Sequence, residues 1–328
     1  MKTPATPMYA IDNGELALAA NVALDRLGLS DGDAFLVVSN PELVEIATEL
    51  AEAARARAQN VRLQEFPPTS RDGEEPPDAV ATAMCAATAI ALVTHFSLSH
   101  TEARQAATRA GARIASLPGV TEEIFARTLP IDYTHLERAG RTLAAKLTEA
   151  KLCRVTGAGG TNVQISLQGR QAICDDGDLR APCAWGNLPA GEAFIAPLES
   201  DGCGTIVFDG SLAGWGLLAE PLSIEFERGR AVTAAGGAAA EWLLGTLDAG
   251  GENGRTIAEL GIGTNPAATI TGVILEDEKA EGTVHFAFGT NTGIGGGNRA
   301  SVHIDGLVRE AMVELDGRLI LRNGRLVD

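Results

Sequence analysis

Residues 34–66 read AFLVVSNPELVEIATELAEAARARAQNVRLQEF, and this stretch decides how the first half of the chain folds. Its two ends, Ala34–Ser39 and Val61–Phe66, are short, apolar and rich in β-branched residues, which is typical of strands. The segment between them carries apolar side chains along one face at helical spacing, at Leu43, Ile46, Leu50 and Ala54. A helix between two buried strands indicates a βαβ unit on a parallel sheet.

The same alternation continues through the first half of the chain. It predicts two more strands and two more helices, at Ala89–His95, Ala112–Leu117, His100–Ala110 and Tyr133–Lys151. Ser99 is predicted to cap the helix that follows it, and the polar residues 67–77 form a loop. We therefore expect an N-terminal α/β domain with a parallel sheet over residues 1–150.

The texture of the sequence changes after Cys153, where short alternating runs are separated by glycines. These runs predict strands at Val163–Leu167, Thr205–Phe208, Leu222–Phe226, Thr283–Phe288, Ser301–Ile304 and Arg318–Leu321. Only Ala234–Leu247 has the pattern of a helix among them. Residues 151–328 are therefore predicted to form a β-rich α+β domain, mostly antiparallel.

Composition limits the class of protein. The chain has 328 residues, a formal net charge of -17 and a pI of about 4.7, and it shows no basic face of the kind that nucleic-acid binding needs. The N-terminus lacks the apolar region of a signal peptide, and the longest apolar run, 86–93, is too short to span a bilayer. We expect a soluble cytoplasmic protein with no nucleic-acid or membrane partner.

Two histidines in the second half lie on predicted strands with small or acidic neighbours. In residues 283–288 (TVHFAF), alternation places His285 and Ala287 on the face opposite three apolar residues, which leaves room in front of the imidazole. In residues 301–305 (SVHID), His303 and Asp305 share one face, about 7 Å apart along the strand, within reach of a shared cation. Two exposed polar residues, or a histidine oriented by a carboxylate, would give the same pattern.

Two glutamates stand out because apolar residues surround them. Glu192 lies near the start of an apolar strand in NLPAGEAFIAP, and Glu259 precedes a Gly-rich turn in AELGIGTNP. Glutamates in such company are seldom buried without a cation or hydrogen-bond partners. The charged run 276–279 (EDEK) is predicted to be a solvated turn instead. The glycine stretches at 157–160 and 293–297 do not open a helix, so neither is a dinucleotide loop.

These residues bring the sequence close to a known family. The stretches LPAGEAFIAPLESDGCGTIVFDGS, AELGIGTNP, ILEDEKAEGTVHFAFG and NRASVHIDG resemble the aminopeptidase T family of dinuclear metallopeptidases, and the likeness covers nearly the whole chain. The resemblance implies a homodimer. It also implies two divalent cations (Zn, Co or Mn) bound by Glu192, Glu259, His285, His303 and Asp305.

The activity that this resemblance implies is hydrolysis by a metal-activated water, with aminopeptidase-like selectivity for a peptide or small-molecule substrate. Glu259 would be either a ligand or the general base that takes the proton of the water. Position in the sequence, and not the resemblance, also singles out His100 and Arg104, which follow a predicted strand at the carboxyl edge of the parallel sheet, where α/β domains bind ligands. They either bind substrate there or are simply a histidine at a helix start and a surface arginine. A catalytically inactive metal-binding protein on the same scaffold is a further hypothesis.

The sequence departs from the family peptidases at one position. They place a tyrosine a few residues after the first motif histidine, whereas residues 290–297 here read TNTGIGGG. The 2,5-dihydroxypyridine dioxygenases share the fold but use a single Fe(II) held by two histidines and a carboxylate. The alternative is a ring-cleaving dioxygenase of that kind, or another non-peptidase enzyme on the same scaffold. In that branch a histidine stands at the position of Glu259 and the position of Glu192 is lost. Because this chain keeps both glutamates, the sequence favours hydrolysis over oxygen chemistry.

Overall fold

A computed structural model describes residues 11–327, and two compact units divide this part of the chain. The first contains residues 11–130 and 177–189, and the second contains residues 131–176 and 190–327. The α-helices are α1 Asn13–Arg26, α2 Val44–Arg55, α3 Asp78–Ala86, α4 Glu102–Arg109, α5 Glu122–Thr128, α6 Tyr133–Glu149, α7 Gly237–Ala249 and α8 Ile274–Asp277. Short 3-10 helices lie at Pro41–Leu43 and Thr292–Ile294.

The strands are short throughout. They are β1 Ala34–Ser39, β2 Asn60–Glu65, β3 Ala89–Val93, β4 Arg113–Ser116, β5 Leu152–Thr156, β6 Asn162–Ser166, β7 Ile173–Asp175, β8 Trp185–Asn187, β9 Glu192–Ile195, β10 Cys203–Phe208, β11 Ser211–Leu212, β12 Gly216–Leu217, β13 Leu222–Glu227, β14 Arg230–Ala235, β15 Ile257–Gly263, β16 Val284–Gly289, β17 His303–Val308, β18 Met312–Leu315, β19 Arg318–Arg322 and β20 Arg325–Leu326. The predicted division near residue 150 falls between α6 and β5, which both belong to the second unit.

The first unit contains a parallel sheet with strand order β2-β1-β3-β4-β8. β3 is buried along its whole length, so both faces of the sheet are covered there, as expected of strands joined by helical crossovers. Apolar side chains of β1 and β3 pack with those of α3 and α4 in one core. The predicted α/β class with a parallel sheet is confirmed.

The start of α4 differs from the prediction. Thr101, not Ser99, is its N-cap, and the Thr101 hydroxyl accepts a hydrogen bond from the Arg104 N–H at 3.1 Å. The Ser99 side chain instead donates to the hydroxyl of Ser116 at 2.9 Å, which connects it to β4. The local sequence offers two hydroxyl caps two residues apart, and this tertiary hydrogen bond explains which of them caps the helix.

The second unit contains two antiparallel sheets. One has the order β14-β13-β10-β6-β5-β18-β19-β20 and the other β12-β11-β17-β16-β15-β9-β7. A single apolar core includes side chains from both sheets and from α6 and α7. The β-rich C-terminal prediction is confirmed. No helix among residues 11–327 is long and apolar enough to cross a membrane.

The charged run 276–279 is not a solvated turn, and that prediction was wrong. Glu276 and Asp277 end the short helix α8 and are fully buried. The Asp277 carboxylate accepts hydrogen bonds from the backbone N–H groups of Thr271 at 2.7 Å and Gly272 at 2.9 Å, while Glu276 accepts from the N–H of Thr269 at 2.7 Å. Burial of these charges is tolerated because their oxygens satisfy the backbone donors of the preceding loop.

We expect Asp277→Ala to lower the free energy of unfolding by about 1–3 kcal/mol, because it removes a buried side chain that accepts from the partly buried N–H groups of Thr271 and Gly272. Glu281→Ala is the matched control, since Glu281 lies in the same segment and is exposed. That change should stay within about 0.5 kcal/mol. Urea unfolding of both variants measures the difference, and equal midpoints would show that the Asp277 hydrogen bonds contribute nothing.

Candidate metal centre

Four neighbouring antiparallel strands, β9, β15, β16 and β17, carry the five predicted metal ligands. The register pairs Glu192 with Gly263, Gly261 with His285, Glu259 with Ala287, Ala287 with Asp305 and Gly289 with His303. Directly opposed residues of a sheet project to the same face. The register therefore places all five predicted ligands on one face of the second unit.

Small residues on this face make the space for the ligands. A Cβ added to Gly261 would lie 2.0 Å from His285 Nε2, so the imidazole lies directly over the glycine backbone. Ala287 stands between Glu259 and Asp305 in the register. Glu259 itself lies within β15 and not before a turn, because Gly261 and Gly263 continue the strand. The His285 ring packs against Gly261, and the backbone of Ala280 packs against Gly263. The sequence pattern alone made those glycines look like a turn.

The carboxylate of Glu259 lies between the two imidazoles. Its Oε1 is 3.3 Å from His285 Nε2, and its Oε2 is 3.5 Å from His303 Nε2. Asp305 Oδ1 is also 3.5 Å from His303 Nε2. Ligand atoms of Glu259, His303 and Asp305 all lie within 4.8 Å of one another, which is a spacing that one cation can bridge.

Backbone contacts orient His303. Its Nδ1 lies 2.8 Å from the carbonyl oxygen of Thr290, to which it donates when protonated, and this leaves Nε2 directed toward the carboxylates. Metal-binding histidines commonly hold their second ring nitrogen in this way. Glu199 fixes the loop after Thr290. Its Oε1 accepts hydrogen bonds from Asn291 Nδ2 at 3.0 Å and from the Gly297 N–H at 2.6 Å. Arg170 also pairs with Glu199.

Mutual attraction shifts the pKa values of these groups. Burial alone would raise the pKa of Glu259, but hydrogen bonds from His285 and His303 outweigh it and hold that pKa below its usual range. Burial alone would lower the pKa of His285, but Glu259 and Glu192 raise it to about 9. The pKa of His303 is likewise raised, against burial, by Asp305 and Glu259. The cluster therefore strongly favours positive charge among its carboxylates.

A second group of potential ligands adjoins the first. Glu192, Glu278 and His285 also have ligand atoms within 4.8 Å of one another. His285 Nε2 lies 3.3 Å from Glu192 Oε2 as well as 3.3 Å from Glu259, so His285 stands between the two groups. A buried lysine, Lys279, places its Nζ 2.6 Å from both Glu192 Oε1 and Glu278 Oε1.

Sequence reasoning missed Glu278 and Lys279, which the predicted solvated turn included. Burial raises the pKa of Glu278 to about 8, although Lys279 opposes the shift. Burial would lower the pKa of Lys279, yet Glu192, Glu278 and Asp175 raise it well above its usual value. The sequence did contain one signal that these residues are buried, namely their position. The charged run lies between apolar Leu275 and the strand that carries His285.

The two residues predicted to bind substrate lie in the first unit. Arg104 is buried, its Nε donates to the Ser99 carbonyl at 2.6 Å, and its guanidinium carbon lies 4.0 Å from the centroid of the Trp185 ring. The His100 ring meets the same indole edge-on, with ring centroids 6.4 Å apart. The structure thus gathers His100 and Arg104 around one indole, and their role in substrate binding stays a prediction.

The donor chemistry fits a transition metal. Two imidazole nitrogens and several carboxylate oxygens converge in a buried space, which suits divalent iron, zinc, cobalt or manganese. His285 Nδ1 is buried and takes part in no hydrogen bond, and the contact of Glu192 Oε2 with His285 Nε2 at 3.3 Å lacks hydrogen-bond geometry. Buried polar atoms without a partner are rare and often mark the place of an ion or water.

Comparison with known proteins identifies the relatives of the chain. A family model described as NicX, 2,5-dihydroxypyridine 5,6-dioxygenase, matches residues 19–328. The 2,5-dihydroxypyridine 5,6-dioxygenase of Pseudomonas putida is 26% identical over 318 residues, covering 88% of each chain.

Two solved structures share the fold. The 2,5-dihydroxypyridine dioxygenase of Pseudomonas putida KT2440 has a TM-score of 0.82 at 22% identity, covering 97% of this chain and 98% of that one. Wild-type AmpT from Thermus thermophilus has a TM-score of 0.72 at 22% identity, covering 96% and 99%. At these identities the two structures establish the fold alone.

These findings correct the predicted activity. The predictions of a hydrolase, a metallopeptidase and an aminopeptidase were wrong, because the matching family and the curated relative are 2,5-dihydroxypyridine 5,6-dioxygenases. The resemblance to aminopeptidase T holds for the fold. The presence of Glu192 and Glu259 does not decide in favour of hydrolysis, because side chains that can hold cations do not by themselves determine the reaction.

Proposed function

The chain belongs to the 2,5-dihydroxypyridine 5,6-dioxygenase family, and we propose that it is a mononuclear non-haem Fe(II) dioxygenase that opens a hydroxylated pyridine ring. The observation that carries the proposal is the family match over residues 19–328. The chemistry of the donor set supports it, since imidazole and carboxylate donors with open positions are characteristic of non-haem Fe(II) oxygenases.

Glu259, His303 and Asp305 would hold the iron, with His285 as the second imidazole beside Glu259. This set contains the two histidines and the carboxylate that such centres use, together with one further carboxylate. When bound, Fe(II) supplies the one-electron chemistry that allows dioxygen to react with an aromatic ring. The proposal replaces the predicted pair of cations with one.

The protein positions these donors before iron arrives. Thr290 holds the His303 ring through Nδ1, and the Gly261 backbone leaves the space that the His285 ring fills. Glu199 and Arg170 fix the loop that joins the strands of the two histidines. Preorganisation of this kind lowers the cost of ordering the ligands on binding.

We also propose that His100 and Arg104 contribute to substrate binding. Their shared neighbour Trp185 is 37% exposed and offers an aromatic face on which a planar ring can stack. The guanidinium carbon of Arg104 lies over the Trp185 ring, 4.0 Å from its centroid, in a cation–π contact that helps to hold the indole in place. Stacking suits the flat heteroaromatic substrate of the related enzyme.

Oxygen consumption tests the proposed function. Protein reconstituted anaerobically with Fe(II) is mixed with 2,5-dihydroxypyridine in air-saturated buffer, and dioxygen and ring absorbance are followed together. We expect one dioxygen consumed per ring opened and no added reductant, because a dioxygenase places both oxygen atoms in its product. Metal-free protein and unsubstituted pyridine are the controls. Loss of the ring without oxygen uptake would contradict the proposal.

A further inference from the structure

Lys279 is the feature of the molecule that the proposed reaction does not yet use. Its side chain is 0% exposed. The Nζ lies 2.6 Å from Glu192 Oε1, 2.6 Å from Glu278 Oε1 and 3.8 Å from Asp175 Oδ2. A fully buried lysine is rare unless it is paired, and this one is paired with three carboxylates.

The carboxylates around Lys279 coincide with the second group of potential metal ligands. Glu192 and Glu278, together with His285, have the mutual spacing of a cation site, and the Lys279 ammonium lies against both glutamates. The first group differs. Among the described residues, the ion pairs of Glu259 and Asp305 are made with histidines and with no lysine or arginine. One group thus contains a built-in cation, and the other does not.

The backbone holds Lys279 firmly in this position. Its carbonyl accepts a hydrogen bond from the Asn265 N–H at 2.8 Å, and its own N–H donates to the Glu276 carbonyl at 2.9 Å. A Cβ on Gly263 would lie 2.1 Å from the Ala280 carbonyl, so the end of β15 packs against this segment without room for a side chain. The lysine therefore reaches the glutamates from an anchored segment.

We propose that the Lys279 ammonium takes the place of a second divalent cation and makes this centre mononuclear. A divalent ion between Glu192 and Glu278 would compete for the same oxygen atoms and would be repelled by the ammonium. One positive charge satisfies the two glutamates, which explains how the chain retains Glu192 while binding a single metal. The inference rests on the proposed function only for the identity of the metal at the first group.

Metal counting tests this role of Lys279. The full chain is reconstituted anaerobically with excess Co(II), freed of unbound metal by gel filtration, and analysed by mass spectrometry of the elements. We expect one ion per chain for the wild type and for Lys146→Ala, in which an exposed lysine of α6 is removed. We expect two for Lys279→Ala. The double variant Lys279→Ala/Glu192→Gln should return to one.

Folding of the variant gives a second readout. Without the ammonium, Glu278 loses its cation and Glu192 keeps only His285, so Lys279→Ala should melt lower than the wild type when metal-free and regain stability with Co(II). If it does not fold, Lys279→Gln removes the charge and supplies an amide oxygen, and we expect two ions there as well.

Two ions in the wild type, or one in both Lys279 variants, would overturn the inference. The oxygen-uptake assay is independent of both counts. If no oxygen were taken up, the proposed dioxygenase reaction would be wrong, but the expected number of ions bound by the Lys279 variants would not change.

Discussion

Gly261→Ala is expected to weaken metal binding at least about 100-fold, although residue 261 supplies no ligand atom. The added Cβ would lie 2.0 Å from His285 Nε2 and 2.1 Å from Cε1, far inside van der Waals contact. The imidazole must leave the position in which its Nε2 lies 3.3 Å from Glu259. A loss of this size matches or exceeds the 10- to 100-fold effect of removing an outer-shell partner.

Calorimetric titration of the metal-free variant with Co(II) measures the effect. Gly245→Ala is the matched control, because Gly245 is exposed within α7 and nothing lies within 4 Å of an added Cβ. Alanine there should leave metal affinity unchanged and raise helix stability by up to about 1 kcal/mol. Wild-type affinity in Gly261→Ala would contradict the position of His285 over the glycine.

His303→Ala is expected to remove both metal binding and oxygen uptake, with activity falling by more than about 1000-fold. His303 Nε2 lies 3.5 Å from Glu259 and 3.5 Å from Asp305, so its loss leaves the proposed iron site with His285 as its one imidazole. A non-haem Fe(II) centre of this kind uses two histidines and a carboxylate, and the variant can no longer supply both histidines.

His135→Ala provides the histidine control, since His135 is exposed near the start of α6 and forms no ion pair with a candidate ligand among residues 11–327. Iron content after reconstitution and the rate of oxygen uptake are measured for both variants. If His303→Ala retained a full complement of iron, the assignment of the first group would fail.

The sequence predicted the site where its geometry is local. Alternation within one strand is enough to place His303 beside Asp305 and His285 beside Ala287, because side chains of a strand project to two faces with a period of two. The parallel sheet of the first unit followed from βαβ spacing in the same way. Both predictions depend only on neighbours in sequence.

The sequence failed where burial depends on distant partners. Lys279 belongs to a charged run that is typical of solvent, and its partner Glu192 lies 87 residues away. No local pattern distinguishes a solvated EDEK segment from one whose charges meet acceptors and donors contributed by other strands. Glycines 261 and 263 misled the prediction for the same reason, since the imidazole and backbone that need their space come from other segments.

The reaction class could not be derived from ligand types. Glutamates and histidines on one face serve hydrolysis or oxygen chemistry equally well, and the difference depends on how many cations bind and what they are. The absence of a tyrosine from residues 290–297 was a correct sign of departure from the peptidases. The two retained glutamates pointed the other way, and the proposed role of Lys279 explains why Glu192 need not hold a second metal.

Isotope labelling tests the central claim most directly. The Fe(II)-reconstituted chain is supplied with the dihydroxypyridine probe under ¹⁸O₂ in unlabelled water, and the product is analysed by mass spectrometry. The account predicts a ring-opened product that contains both ¹⁸O atoms. A product whose new oxygen comes from water would contradict a dioxygenase and return the centre to hydrolytic chemistry.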